Sequence, residues 1–415
     1  MRTGTWSRLC SKTRVDATSQ VLVLIALCMT TVARVAAQDQ QPEPTTRAGE
    51  IEQQQKAKVV RPYQPGTVEK WLDWAEGTLT SGSGFHPFFQ SAYAGGGFTL
   101  GAGYLKYVSP YNTVDIRGSL TIRGYKRIEA EFVTPQLLGG RGKLSVLGGW
   151  RDATRVGFYG IGMETSQDNR ANYSFEQPYA STLLTVTPRR TPLFVAAGFE
   201  VSQWKSGPAG GSDPSIDTVY TPATLPGLGA QPVYLHTQGT LGIETRLAPD
   251  YARRGGFYGV TFHDHADTDS ELGFELIEYE AVQHIPILRE AWVISLRGRV
   301  QTTSLKEDQQ IPYFMLPSLG SGSTLRAFSS WRFRDRNSLL LQAEWRVIVN
   351  RALDLGLFYD TGKVTANTSD LSLDGLESNF GVGVRFHGPL STPLRVELAK
   401  GSEGFHLVFG SSAAF

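Results

Sequence analysis

The chain has 415 residues with 40 Lys/Arg against 39 Asp/Glu, a balance of +1 that gives no electrostatic footprint for a nucleic-acid partner. Its two cysteines, Cys10 and Cys28, both fall in the leader described next, so neither a disulfide framework nor a thiolate metal site is expected downstream. The 45 glycines and 45 aromatic residues beside only 19% charge fit a β-rich chain, soluble or membrane-bound.

Residues 1–37 read as a secretory signal peptide. Arg2, Arg8, Lys12 and Arg14 make a basic start, Val21 to Met29 is apolar but too short to span a bilayer, and Val35-Ala36-Ala37 resembles a cleavage site. Cys28 follows Leu27, which is too large for the usual lipoprotein signal. The leader's five basic residues against one acid leave the remainder at −3, from +1 overall. Residues 38–83 form a periplasmic tether, rich in Gln, Glu and Pro as far as about residue 66. Within it, Val68, Trp71, Leu72 and Ala75 share one face of a short amphipathic helix suited to a membrane interface, a lumen or packing on the fold.

From Gly84 the apolar period becomes two and stays so to Phe415. About 16 strands are expected, among them "GGFTLGAGYLKYV", "FELIEYEAVQHI", "SLLLQAEWRVIV" and "ALDLGLFYDTGKV". The connections sort by parity. Turns such as "SPY", "PILR" and "NRA" alternate with the long segments 152–170, 205–231, 303–336 and 365–377. Long loops on one side and tight turns on the other mark a transmembrane antiparallel β-barrel, all-β in class, rather than a sandwich. Closure also satisfies every backbone group in lipid.

The segment "GSTLRAFSSWRFRD" (322–335) places several charges in a loop just ahead of a strand with Glu344 at its centre. On the next strand Leu353, Leu355, Leu357 and Tyr359 share the lipid face, so Asp360 points inward with Glu344. A three-residue turn at 351–353 pairs Asn350 with Asp354 and sets Glu344 directly opposite Asp360. Two facing carboxylates repel, and an arginine fork between them removes the conflict. Arg326, Arg332, Arg334 and Arg336 are the candidates that spacing allows.

These residues resemble the BamA, TamA and FhaC superfamily of outer-membrane insertases and two-partner secretion transporters. The family's Val-Arg-Gly-Phe/Tyr loop motif is matched by Leu325-Arg326-Ala327-Phe328, its strand glutamate by Glu344, and its Phe-x-Asp-x-Gly by Phe358, Asp360 and Gly362. "FYGIGMETSQDNRANY" (158–173) and the closing strands ending at Phe415 are also similar to family segments. The resemblance runs from about Gly84 to Phe415 and selects Arg326 as the docking residue. It implies a loop 303–336 held inside the barrel by Arg326, Glu344 and Asp360, either stapling the wall or controlling a seam. The first strand, about Phe85 to Tyr93, and the last, Phe405 to Phe415 with Gly404 and Gly410, would form that seam and carry the assembly signal.

Two departures follow. Ala327 stands where the family has glycine, so a left-handed backbone there would cost about 1 kcal/mol. The stretch before Gly84 is too poor in apolar residues for a POTRA module. The expected role is therefore outer-membrane protein assembly or translocation, with a partner that supplies POTRA domains and with client outer-membrane proteins; the alternative is a passive pore or structural outer-membrane barrel, its lumen lined by Gln342, Arg346 and Arg385. No enzyme activity, cofactor or metal site is expected. "HDHADTDSE" (263–271) reads as a solvated extracellular loop because it lacks the spacing of a calcium loop.

Overall fold

Period-two alternation carries straight into the backbone. The computed structural model describes residues 84–410 other than 189, 190, 270, 289, 389–391 and 393, together with Phe415. The leader, the tether and its helix lie outside the described residues. Sixteen through-going strands run in chain order. They are β1 (Gly84–Pro87), β2 (Thr99–Tyr107), β3 (Thr113–Thr121), β4 (Lys126–Gln136), β5 (Gly142–Phe158) and β6 (Ala171–Val186). β7 (Leu193–Gln203) extends past Trp204 as Lys205–Pro208, and β8 (Val233–Glu244), β9 (Gly255–Asp267), β10 (Phe274–Ile287) and β11 (Trp292–Leu305) follow. The last five are β12 (Asn337–Ile348), β13 (Leu353–Thr365), β14 (Glu377–Phe386), β15 (Leu394–Gly401) and β16 (Gly404–Gly410).

Every neighbouring pair from β1 to β16 is antiparallel, giving one continuous ribbon with the topology of a barrel wall. Its two faces are chemically distinct. On β13, Leu355, Leu357 and Tyr359 are about half exposed, whereas Asp354, Phe358 and Asp360 are buried. Phe405, Leu407 and Phe409 repeat the outward pattern on β16. Side chains of one parity must share one face, so the outward face is apolar along strand after strand and fits lipid.

The long connections fall on one end of the ribbon: 159–170, 209–232, 306–336 and 366–376. The other end carries short turns, including 288–291 and 349–352. β1 is shorter than expected, stopping at Pro87 rather than reaching Tyr93. The alternation itself runs on, since His86 and Phe88 both point inward, the Phe88 ring 5.3 and 5.5 Å from the Arg117 and Arg127 guanidinium carbons. Three glycines, Gly95 to Gly97, then carry the chain round to β2.

Replacing Leu357 with arginine should cost about 2–4 kcal/mol, because it moves a guanidinium into hydrocarbon on the apolar face. Urea unfolding of the protein in phospholipid vesicles measures this; an unchanged midpoint would mean that this face does not meet lipid.

Candidate functional site: a loop docked by Arg326

The connection between β11 and β12, residues 306–336, folds back over the inner face instead of reaching into solvent. A two-residue hairpin, Ser318–Leu319 with Phe333–Arg334, forms its neck. Beyond the neck, Leu319, Leu325, Ala327, Phe328 and Phe333 pack with Leu340 of β12, Phe358 and Val364 of β13 and Ala399 of β15. Apolar burial thus places the loop, and its turns point Arg326 at the wall.

Arg326 is 1% exposed. Its Nε and Nη2 donate to the two oxygens of Asp360 at 2.9 and 2.8 Å, a fork on a fork. Nη1 donates to Glu344 at 3.3 Å and to Glu397 of β15 at 3.0 Å. The Phe358 ring lies under the guanidinium, 3.5 Å from ring centre to Cζ. Burial alone would lower the Arg326 pKa, but the hydrogen bonds to Asp360 and the attraction of Asp360, Glu397 and Glu344 raise it above its usual value. The side chain is therefore a permanent cation held by three acids.

Those acids have further partners. Asp360 also accepts from Gln342 Nε2 at 3.0 Å and Asn379 Nδ2 at 2.8 Å, and Asn379 Oδ1 accepts from the Ala327 amide at 3.3 Å. Arg385 of β14 donates to Glu344, and to Glu397 at 3.3 Å, while Arg395 of β15 donates to Glu397 at 2.9 Å. Arg326, Arg385 and Arg395 balance Glu344, Asp360 and Glu397, which leaves the buried cluster formally neutral. Buried charge is tolerable only when paired and hydrogen-bonded in this way.

The motif residues serve the loop at successive inward positions of β13. Phe358 supports the guanidinium, Asp360 clamps it, and Gly362 clears space. A Cβ on Gly362 would lie 2.6 Å from the Leu339 carbonyl oxygen and 2.9 Å from loop residue Leu319. Gly381 of β14 does the same for the Phe358 ring, which would come within 2.4 Å of a Cβ there.

The other loop arginines attach to different parts of the wall. Arg332 bonds Glu403 at 2.6 Å and the Thr165 hydroxyl at 2.6 Å. Arg334 donates to the Tyr313 carbonyl and the Tyr173 hydroxyl, each at 3.0 Å. The segment 158–173 also takes part, since the Gly162 amide donates to the Arg334 carbonyl at 2.8 Å. Arg326, Arg332 and Arg334 are thus absorbed into the interior, whereas Arg336 stays exposed.

Four expectations need correcting. Glu344 faces Phe358, and Gln342 faces Asp360, a register two residues away from the expected one. The turn between β12 and β13 is Val349–Ala352 rather than a three-residue turn, held by Asn350 Oδ1 accepting from the Ala352 amide at 2.8 Å. A shift of two keeps both acids inward, but they meet diagonally through Arg326 rather than head-on. Ala327 is not among the residues with positive φ; Trp331 takes the left-handed turn instead, at φ 65°, so the expected strain does not arise. Gln342, Arg346 and Arg385 are all buried, packed into the docking cluster and the wall rather than lining a wet channel. Phe415 is not on the last strand, which runs Gly404–Gly410; its ring lies 6.5 Å from that of His284 on β10.

Phe405 points outward from β16, and Gly410 clears room for Arg395, whose Nη2 would lie 2.7 Å from a Cβ there. Between the Phe89–Thr99 segment and β16 lies a cavity of about 1280 Å³, walled on the loop side by Ser321 and Gly322.

Sequence reasoning missed Glu397, Asn379 and Arg395. Parity alone puts Arg395 and Glu397 on the inner face of "PLRVELAK", but neighbouring strands must be in register before these groups meet. Gly383 sits opposite Glu397, and Arg385 opposite Arg395.

Fold and site together define an antiparallel β-barrel of the outer-membrane type with an inward-docked arginine loop. No family model and no curated protein sequence matches the chain. The solved structure of BamA from Haemophilus ducreyi lacking POTRA domains 1-3 is similar at a TM-score of 0.56 and 11% identity, over 83% of this chain and 77% of that one. Further similar structures are CdiB from Acinetobacter baumannii (TM-score 0.48, 11% identity, 75% and 56% covered) and CdiB from Escherichia coli (0.49, 11%, 77% and 57%). The BamA likeness establishes a shared barrel fold.

Replacing Arg326 with alanine leaves Asp360 without its cation and the buried cluster with one uncompensated negative charge, a loss of about 3–5 kcal/mol in loop docking by analogy with breaking other buried pairs. The barrel should persist, as judged by its heat-dependent gel shift, while trypsin cuts within 306–336. Gly362→Val should expose the same sites with Arg326 intact; a loop as protected as wild type in both variants would refute the docking geometry.

Proposed function

We propose that this chain is a bacterial outer-membrane barrel of the insertase and translocon superfamily, assisting assembly or translocation of client outer-membrane proteins. The observation that carries this reading is the loop fastened through Arg326 to β12, β13 and β15, next to a cavity between the first and last strands. A loop docked on the inner wall obstructs the axis, which suits a machine that works through its wall better than one that conducts along that axis. The BamA-like fold supports the same reading.

Mechanistically, a client strand would add to β16, whose outward face is apolar and whose pairing energy Gly404 and Gly410 reduce. Strand addition supplies backbone hydrogen bonds without demanding one client sequence. A partner carrying POTRA domains would deliver the client.

The test places a photo-crosslinking amino acid at Phe89 and at Leu407, which both line the cavity. Crosslinks to newly made barrel proteins in cells, lost when Arg326 is alanine, are the expected outcome. Steady ion-selective conductance of the wild type in planar bilayers, with no crosslinks, would replace this reading with a passive pore.

A further inference from the structure

Away from the docking cluster, three histidines meet on the inner face of β8 and β9. His263 and His265 are two apart on β9, so they point the same way, and His265 faces His236 across the strand pair. One ring nitrogen from each lies within 4.8 Å of the other two. His236 Nε2 and His263 Nδ1 are 3.0 Å apart, and the His236 and His265 rings stack with centroids 4.1 Å apart. His265 Nδ1 is buried without a hydrogen-bond partner. The sequence reading placed this stretch in a solvated loop; both β9 histidines are instead strand residues, half-buried against the interior.

We propose that His236, His263 and His265 form a binding site for a late first-row divalent cation, Zn²⁺ or Cu²⁺. Three neutral imidazoles and no thiolate suit these metals and offer nothing that Ca²⁺ or Mg²⁺ prefers. A tetrahedral zinc with bonds of about 2.0–2.1 Å needs ligand nitrogens about 3.4 Å apart. The three rings now stack nearly parallel, so binding a metal turns the imidazoles out of the stack until their lone pairs converge. The contact between His236 and His263 is what an empty pair of ligands makes when one shared proton stands in for a metal. The unpartnered His265 nitrogen has no such substitute, and a cation would satisfy it.

The surroundings fit a first shell that is held in place. His265 stacks on Phe274 of β10 at 4.6 Å, which fixes its ring plane. Glu200 of β7 sits opposite His236 in register and on the same face. Three protein ligands leave a coordination position for water on the lumen side, so the site is open in the manner of exchangeable or reactive metal sites rather than closed structural ones. Phe274 also packs with Ile311 and Leu316 at the start of the docked loop, one side chain from the metal position. None of this depends on the proposed insertase role.

The experiment uses the full chain without a polyhistidine tag, folded in detergent and stripped with chelator. Titration calorimetry with ZnCl₂ should show about one equivalent bound, with CaCl₂ giving no signal. His263→Ala and His265→Ala should each weaken binding at least about tenfold, with the heat-dependent gel shift confirming a folded barrel. Copper added to the wild type should give an electron paramagnetic resonance spectrum with nitrogen hyperfine structure, a readout that needs no variant. Absence of zinc binding, unchanged affinity in both variants, or an oxygen-only copper spectrum would each overturn the site.

Discussion

A guanidinium keeps its charge at any accessible pH, so burying one obliges the structure to bring its counter-ions along. Arg326 is fully enclosed, and the surrounding wall is arranged around that obligation. β12, β13 and β15 each contribute one carboxylate, and β14 and β15 contribute the arginines that keep the three acids from repelling one another. Polar side chains then satisfy the remaining lone pairs, so that Asp360 accepts from Arg326, Gln342 and Asn379 at once. A half-satisfied version of such a cluster would be worse than an apolar core.

The same constraint accounts for the glycines. "DLGLFYDTG" and "NFGVGVRF" look weak as strands because glycine lowers strand propensity. In the folded chain Gly362 admits Leu319 of the loop, and Gly381 admits the ring that supports Arg326. The sheet gives up side chains where a second layer of protein must lie against its inner surface. The wall and the loop are therefore one packing unit, and local propensity gives way to it.

How much of this could be seen in the sequence depended on the range of the interaction. Inward and outward faces followed from alternation within one strand, so the lumenal placement of Glu344 and Asp360 was legible without coordinates. Register was not, because Asn350 closes its turn by a side-chain hydrogen bond that shifts the pairing by two residues. The part played by Glu397 was further out of reach. It joins Arg326 from 71 positions away, and only the stacking of four strands brings the two together. The inward place of Phe88 followed from its phase with His86, but the guanidiniums it meets, Arg117 of β3 and Arg127 of β4, are tertiary contacts that its neighbours in sequence do not announce.

That separation along the chain has a consequence for the order in which the molecule matures. The third acid of Arg326, Glu397, arrives only with β15, and Arg332 awaits both Thr165 and Glu403, which lie 167 and 71 positions away. Contacts of such reach form late, after the entropy of closing long segments has been met. Seating of the plug is thus a finishing event that senses whether the carboxyl-terminal strands have arrived. A chain truncated before β15 would lack Glu397 and Glu403, one anchor each of Arg326 and Arg332, and remain visibly incomplete to any quality-control protease.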